Sequence, residues 1–315
     1  VAYATIWLQP RLGTDVALLN GMVREIIANN WVDHNFIESR IEGGMQAFLE
    51  LKDLVEKYTP EATEKITGVP ALKIKDAARI YGTAKTAMVA TGMGMSQQVT
   101  GTHNVFSLLN MILITGKIGK ERCGIDPPRG QNNVQGATDV GCHPTMYSGY
   151  IPITNTENRQ KVAEVWGVPF ESLSDKPGLT TVEIIQAAYQ GKIKGLYIMG
   201  ENPMISDPNL NHTEEALKKL DFLVVQDIFL TETARFAHVV LPASAWAEKN
   251  GTFVNSDRRV LRVRKAVDCP GQAREDWRII HELAARMGKP MPNYRDEAEI
   301  FDELARVTPI MAGIS

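Results

Sequence analysis

Cysteine is scarce in this chain, and the three present, Cys123, Cys142 and Cys269, stand too far apart to form any CxxC pair. Iron–sulfur clusters and structural zinc sites need closely spaced thiolates, so none is expected from these residues, and three free thiols in a reducing compartment are. Long apolar runs are missing too. The longest, at 105–114, is interrupted by Ser107 and Asn110 and falls short of the ~20 residues that cross a bilayer. Basic clusters are absent, and the formal net charge is −3. Neutralising nucleic-acid phosphates takes concentrated Lys and Arg, so no nucleic-acid partner is expected. There is no internal repeat and no low-complexity tract. A starting methionine is lacking as well: the chain opens on Val1 and stops at Ser315, which reads as an internal portion of a longer polypeptide. A secretory signal would precede Val1, and a cytoplasmic location is the expectation by default.

What is present can build a sizeable interior. With 315 residues, 44% hydrophobic and 23% charged, the composition is that of a globular chain with two domains or domain portions. Helix signals dominate the first part. Thr14 and Asp15 precede Val16, Leu19, Val23, Ile26 and Ile27, whose spacing lines one face of a helix ending near 29–30. Thr59-Pro60 sets a capping hydroxyl before a first-turn proline, and Pro70 opens a helix with Leu72, Ala77, Ala78 and Tyr81 on its apolar face. Residues 1–8 read as a strand. Residues 86–91 read as another, delivering the chain into Gly92-Met93-Gly94 and then a helix at about 103–115.

From 129 to 150 both periodicities dissolve among Gly130, Gly136, Gly141, Gly149 and many amides. A long ordered loop of this kind is a frequent place for function. Beyond it, strands at Gly195–Met199, 222–226 and 238–241, with a helix at 211–219 between the first two, predict a parallel sheet. Ligands of such sheets lie at the carboxyl ends of the strands, where Gly200-Glu201-Asn202-Pro203 and Gln226-Asp227 fall. The Gly200 turn suits the approach of backbone N–H groups to phosphate, and equally suits an ordinary strand-to-helix connection.

Together these segments resemble one family. Arg129-Gly130-Gln131-Asn132-Asn133-Val134-Gln135-Gly136 is similar to the loop that molybdopterin-dependent formate dehydrogenases place over their metal. Gly92-Met93-Gly94 with Gln97 and the turn Thr115-Gly116-Lys117-Ile118-Gly119 precede it in the family's order. Tyr197-Ile198-Met199-Gly200-Glu201-Asn202-Pro203, Val224-Val225-Gln226-Asp227 and Leu241-Pro242-Ala243 follow it. The resemblance is collinear over essentially the whole chain. It implies an α/β fold of the formate dehydrogenase and DMSO reductase type, with two Rossmann-like parallel-sheet portions. These would be residues 1–131, ending in the active-site loop, and 132–243, with 244–315 returning to complete the second and part of the iron–sulfur-side domain.

The activity implied is oxidation of formate to carbon dioxide, reversibly, at molybdenum or tungsten held by two molybdopterin guanine dinucleotides. Electrons would leave through a [4Fe-4S] cluster toward iron–sulfur or other electron-transfer subunits. By the same resemblance Arg129 pairs with the formate carboxylate, a role suited to a permanently charged, planar fork of donors. Met93, Gly94, Gln97, Gly130 and Gln131 are implied to lie against the pterins, whose ring donors and acceptors suit amides. Gly13, Thr14 and Asp15 at one nucleotide end, and Gly200, Glu201, Asn202, Gln226, Asp227 and Thr231 at the other, are implied nucleotide contacts, the carboxylates accepting guanine N–H groups. Asp15 is also a residue that the helix dipole favours at a helix start, and both readings stand.

The pattern has gaps. In that family the metal's ligand is a cysteine or selenocysteine followed by histidine, upstream of the matched region. Cys142-His143 copies the dipeptide but follows the loop, so no metal ligand is expected within the chain. The four-cysteine cluster motif and the carboxy-terminal domain that closes over the cofactor are also outside it, implying that this stretch alone does not turn over formate. Nitrate reductases and a noncatalytic scaffold, the iron–sulfur subunit of NADH dehydrogenase, share the fold. Relatives acting on nitrate lack an arginine at the Arg129 position, and a scaffold would predict decay of the loop, so the intact loop favours formate.

Overall fold

The computed structural model describes residues 2–289 and 291–314, and the chain parts into two units, Val1–Arg129 and Gly130–Ser315. The first contains α1 (Asp15–Ala28), α2 (His34–Arg40), α3 (Gly44–Val55), α4 (Pro60–Thr67), α5 (Ala71–Thr83), β1 (Met88–Ala90), α6 (Met93–Ser96), α7 (Gly101–Ile114) and β2 (Gly124–Asp126). Helix α1 is its hub. Val23 and Ile26 are fully buried there, packed in one cluster with Ile74 and Ala78 of α5 and Leu108, Met111 and Ile112 of α7. Burying each large aliphatic side chain contributes ~1.5–3 kcal/mol, so this apolar stripe outweighs any single cap in the unit. The Thr59 hydroxyl accepts the Ala62 N–H at 3.2 Å ahead of Pro60, the capping arrangement its sequence predicts. Strands β1 and β2 pair in parallel, Val89 opposite Ile125.

Two expectations fail in this unit. Val1 lies outside the described residues, and residues 2–8 form turns, bends and irregular chain rather than a strand, with Tyr3 and Trp7 exposed and no strand paired with them among the described residues. Leu72 lies on the solvent side of α5, 71% exposed, because the inward stripe runs through Ile74 and Ala78. A residue two places from that stripe is rotated about 200° around the helix.

The second unit contains α8 (Val134–Asp139), β3 (Met146–Tyr147), β4 (Ile151–Pro152), α9 (Thr156–Trp166), α10 (Thr181–Tyr189), β5 (Gly195–Met199), α11 (Pro203–Ser206), α12 (Leu210–Lys218), β6 (Phe222–Asp227), β7 (Val239–Pro242), β8 (Gly251–Val254), β9 (Val260–Val263), α13 (Asp276–Arg286) and α14 (Glu297–Val307). Its centre is the parallel sheet β5-β6-β7, with Ile198 opposite Val225 and Val225 opposite Val240. Ile185 and Ala188 of α10 and Ala216 and Leu217 of α12 cover Ile198, Leu223 and Val225. Each covering helix is amphipathic, and α10 opens on a capping box between Thr180 and Glu183. The stretch 129–150 is less irregular than its sequence suggests. It holds the six-residue helix α8 and the β3–β4 pairing, elements too short to display a period. The antiparallel hairpin β8–β9, Val254 opposite Val260, is a further element that the sequence reading left out. Among the described residues no helix is long and apolar enough to cross a membrane.

Lys117, in the turn after α7, is almost wholly buried. Its ammonium donates to the Gly82 carbonyl at 3.1 Å and lies 4.8 Å from the centre of the Tyr81 ring, without an ion pair among the described residues. Burial, reinforced by Lys120, holds its pKa below the ordinary lysine range. Lys117→Met should therefore raise the melting temperature at neutral pH, because an apolar chain of similar length replaces a desolvated ammonium that has Asp33 as a nearby carboxylate but none at ion-pair distance among the described residues. Since the folded pKa lies below the unfolded one, the unfolded chain holds the extra proton between the two values, and the wild type gains stability as pH rises through that window. The gap between the two proteins should narrow toward the ordinary lysine range. Thermal melts of both across that window check the sign; a variant that melts lower at neutral pH would show that the Gly82 and Tyr81 contacts outweigh desolvation.

Candidate functional site

In the first unit, β1 ends at Ala90 and the chain turns through Gly92 into the four-residue helix α6. Met93, Gly94 and Gln97 are all exposed on this turn, and nothing lies within 4 Å of where a Cβ on Gly94 would stand. Just past the strand, the Thr91 hydroxyl oxygen is buried without a hydrogen-bond partner among the described residues. Elsewhere in the unit, the Thr14 hydroxyl donates to the Arg11 carbonyl at 2.6 Å. Arg11 in turn donates to the Lys65 and Ile66 carbonyls at 2.9 and 3.2 Å, which ties the Gly13-Thr14-Asp15 turn to the end of α4. Asp15 opens α1, as the helix-start reading requires, and its carboxylate has no side-chain partner among the described residues. Arg129 is exposed and makes no ion pair among them.

In the second unit, Gly130 and Gln131 are exposed, whereas Asn133 turns its side chain onto β8. Its Oδ1 accepts the Val254 N–H at 3.0 Å and its Nδ2 donates to the Thr252 carbonyl at 3.4 Å. Further along, Gln135 and Tyr150 both donate to Asp139 Oδ1, at 3.0 and 2.7 Å.

The carboxyl ends of β5, β6 and β7 form a second cluster. Gly200 turns the chain out of β5 at φ +64°, a left-handed conformation that glycine adopts without cost. The sheet register brings the loops after β5, β6 and β7 side by side, with Met199 opposite Gln226 and Asp227 opposite Pro242. Asn202 braces them: its Oδ1 accepts from the Thr233 backbone N–H at 3.2 Å and hydroxyl at 2.7 Å, and its Nδ2 donates to Glu232 at 2.8 Å. That last bond lowers the Glu232 carboxyl pKa. Glu201 accepts from the Asn202 N–H and the Ser206 hydroxyl, and Thr231 accepts the Ala234 N–H. Asp227 takes the Phe229 N–H on Oδ1 at 3.0 Å, which leaves Oδ2 unspent.

The Gln226 side chain is engaged within the chain. It is fully buried, accepts from the Tyr197 hydroxyl and donates to Asp276 at 2.7 Å, while Asp276 pairs with Lys249. Burial raises the Tyr197 pKa. Strand β6 is the central strand and is buried on both faces from Leu223 to Gln226, whereas Asp227, at its carboxyl end, is half-buried with one carboxylate oxygen bonded to the Phe229 N–H.

Two groups escape sequence reasoning, one in each unit: the buried hydroxyl oxygens of Thr91, just after β1, and Ser244, just after β7, each without a partner among the described residues. Buried polar groups are nearly always paired, so an orphan where α/β sheets take ligands points to a ligand. A Ser or Thr following a strand is the only trace either leaves in the sequence. Cys142 is exposed, and His143 Nδ1 accepts from the Thr145 N–H at 3.3 Å. Among the described residues no three His, Cys, Asp or Glu side chains are grouped to hold a metal.

The sequence model of the molybdopterin oxidoreductase family matches residues 1–286. The chain is 49% identical over 311 residues to the F420-dependent formate dehydrogenase subunit alpha of Methanocaldococcus jannaschii, covering 98% of this chain and 45% of that protein. It is 45% identical over 313 residues to F420-dependent formate dehydrogenase 1 subunit alpha of Methanococcus maripaludis, covering 99% and 45%. To formate dehydrogenase H of Escherichia coli it is 44% identical over 301 residues, covering 96% and 41%. The chain thus spans less than half the length of these relatives. Among solved structures, acetylene hydratase from Pelobacter acetylenicus shares the fold, with a TM-score of 0.74 at 23% identity over 96% of this chain and 43% of that one.

The Asn202 brace is open to test. Asn202→Ala strands both Thr233 donors and should cost about 1–3 kcal/mol in urea unfolding. Asn202→Asp keeps an acceptor for Thr233 but sets a second carboxylate against Glu232. Its deficit relative to wild type should shrink as pH falls through the carboxylate range and one of the two takes up a proton.

Proposed function

The chain belongs to the molybdopterin oxidoreductase family, and on that premise we propose that it is the middle portion of a formate dehydrogenase catalytic subunit that interconverts formate and carbon dioxide. The observation that carries this reading is Arg129: an exposed guanidinium, uncommitted to any ion pair among the described residues, at the head of an intact Arg-Gly-Gln-Asn-Asn loop in a chain similar to formate dehydrogenase alpha subunits over nearly its whole length.

Family membership brings a molybdopterin cofactor with molybdenum or tungsten. The guanine dinucleotide form, a pair of such pterins and a [4Fe-4S] cluster held elsewhere in the subunit are part of the proposal. The residues present fit such a group. Open space at Gly94, Gly130 and Gly200 leaves room for close approach, and the orphan hydroxyls of Thr91 and Ser244 are unspent. When bound, the metal centre supplies a two-electron acceptor for the formate C–H bond. Arg129 grips the carboxylate with two parallel N–H donors and fixes its orientation, which a lysine, as a point charge, would do less well. Met93, Gly94, Gln97, Gly130 and Gln131 lie against the pterins. Gly13, Thr14 and Asp15 serve one nucleotide end, and Gly200, Glu201, Asn202, Gln226, Asp227 and Thr231 the other, with the Asp15 and Asp227 carboxylates accepting guanine N–H groups. The metal's protein ligand belongs to a segment outside this chain. Domain portions at 1–131, 132–243 and 244–315, electron-transfer partner subunits and a cytoplasmic location complete the reading.

The test uses the complete subunit, purified without oxygen. Arg129→Ala should lower kcat/KM for formate-driven reduction of a viologen dye by on the order of 100-fold, the loss of ~3 kcal/mol expected when a charge-assisted pair goes, with metal and pterin content unchanged. Arg129→Lys should fall between. Full turnover in Arg129→Ala, or loss of the pterin, would sink the assignment of Arg129 to the substrate.

A further inference from the structure

Asn133 stands at the N-cap position of α8, where an asparagine ordinarily folds its side-chain oxygen back onto the helix's own N–H groups. Here φ is −137° and ψ is 25°, and no such bond forms. The amide instead reaches β8, where its oxygen takes the Val254 N–H and its nitrogen gives to the Thr252 carbonyl. Those two backbone groups are the pair that a neighbouring strand would engage, so the side chain stands in for one peptide unit of an absent strand. The hairpin that receives it is itself secured, four residue pairs deep between β8 and β9 and closed at its open end by the Ala266 N–H on the Ala247 carbonyl at 2.8 Å.

Gly136 is the counterpart of this contact. A Cβ there would stand 2.2 Å from Asn133 Oδ1, so any larger residue has to push the amide off its seat. Only Gly130, Gln131 and Asn132 separate Asn133 from Arg129 along the chain.

We propose that Asn133 is a positioning residue. By pairing with β8 it anchors the loop that begins at Arg129 and so sets the aim of that guanidinium, and Gly136 provides the space the pairing needs. The inference rests on the formate reading for what Arg129 holds, and on geometry alone for the anchor.

The experiment keeps those two parts separate. In the complete subunit, Asn133→Ala, Gly136→Ala and the milder Asn133→Asp, which keeps the acceptor for Val254, are compared by amide hydrogen exchange and by formate kinetics. In both alanine variants, exchange over 251–254 should speed up about tenfold or more. The formate KM should rise about tenfold with kcat within about threefold, the pattern of lost substrate binding, and pterin content should hold. Asn133→Asp should fall between in both readouts. Unchanged exchange overturns the anchor. Faster exchange with an unmoved KM leaves Asn133 a purely structural bond and overturns its positioning role. A wild-type subunit that carries metal and pterin yet ignores formate overturns the functional reading, and the positioning of formate with it, while the exchange comparison still decides the anchor.

Discussion

The second unit depends on the parallel pairing of β6 with β5 on one side and β7 on the other. Parallel strands have all their carboxyl ends at one edge, so the pairing decides that Gly200, Asp227 and Ser244 share a neighbourhood although they are spread over 45 positions of sequence. Apolar burial holds the pairing in place. Leu223 and Val225 of β6 have no exposure at all, and the helices on either side of β5 in sequence supply the cover. Shifting β6 by one residue would exchange its two buried faces and carry Gln226 away from Tyr197 and Asp276, leaving a buried amide without those partners.

Around this frame, amides act as brackets and leave charges free. Asn202 bonds three groups of the Glu232–Thr233 segment, Gln226 links Tyr197 to Asp276, and Asn133 joins its loop to β8. An amide presents donor and acceptor together without bringing a charge that must be desolvated, which suits it to fixing loops from within. Arg129, Asp15 and one oxygen of Asp227 remain without a side-chain partner among the described residues.

Much of the architecture is legible in the residues. The α1 start, the Thr59-Pro60 cap and the β5, α12 and β6 segments rest on local chemistry: capping hydroxyls, fixed proline φ, apolar spacing. The structure places them within one or two residues of the sequence reading. Illegible were the elements whose reason is remote. The run at 2–8 has the composition of a strand and no partner to pair with. The β8–β9 hairpin mixes charged and apolar residues, and α8 is too short to show a period.

The site divides along the same line. Sequence alone determined the Arg-Gly-Gln-Asn-Asn loop, the glycine turns and the order of strand-end carboxylates, because residue type and spacing along one chain set those. Only the tertiary structure decided that Gln226 is buried against Tyr197 and Asp276, that the Thr91 and Ser244 hydroxyls are left without partners among the described residues, and that Asn133 gives up its helix cap for β8. Each of these depends on which groups meet across long separations, up to the 121 positions between Asn133 and Val254. Such meetings follow from how the chain packs, and residue type alone does not encode which donor finds which acceptor.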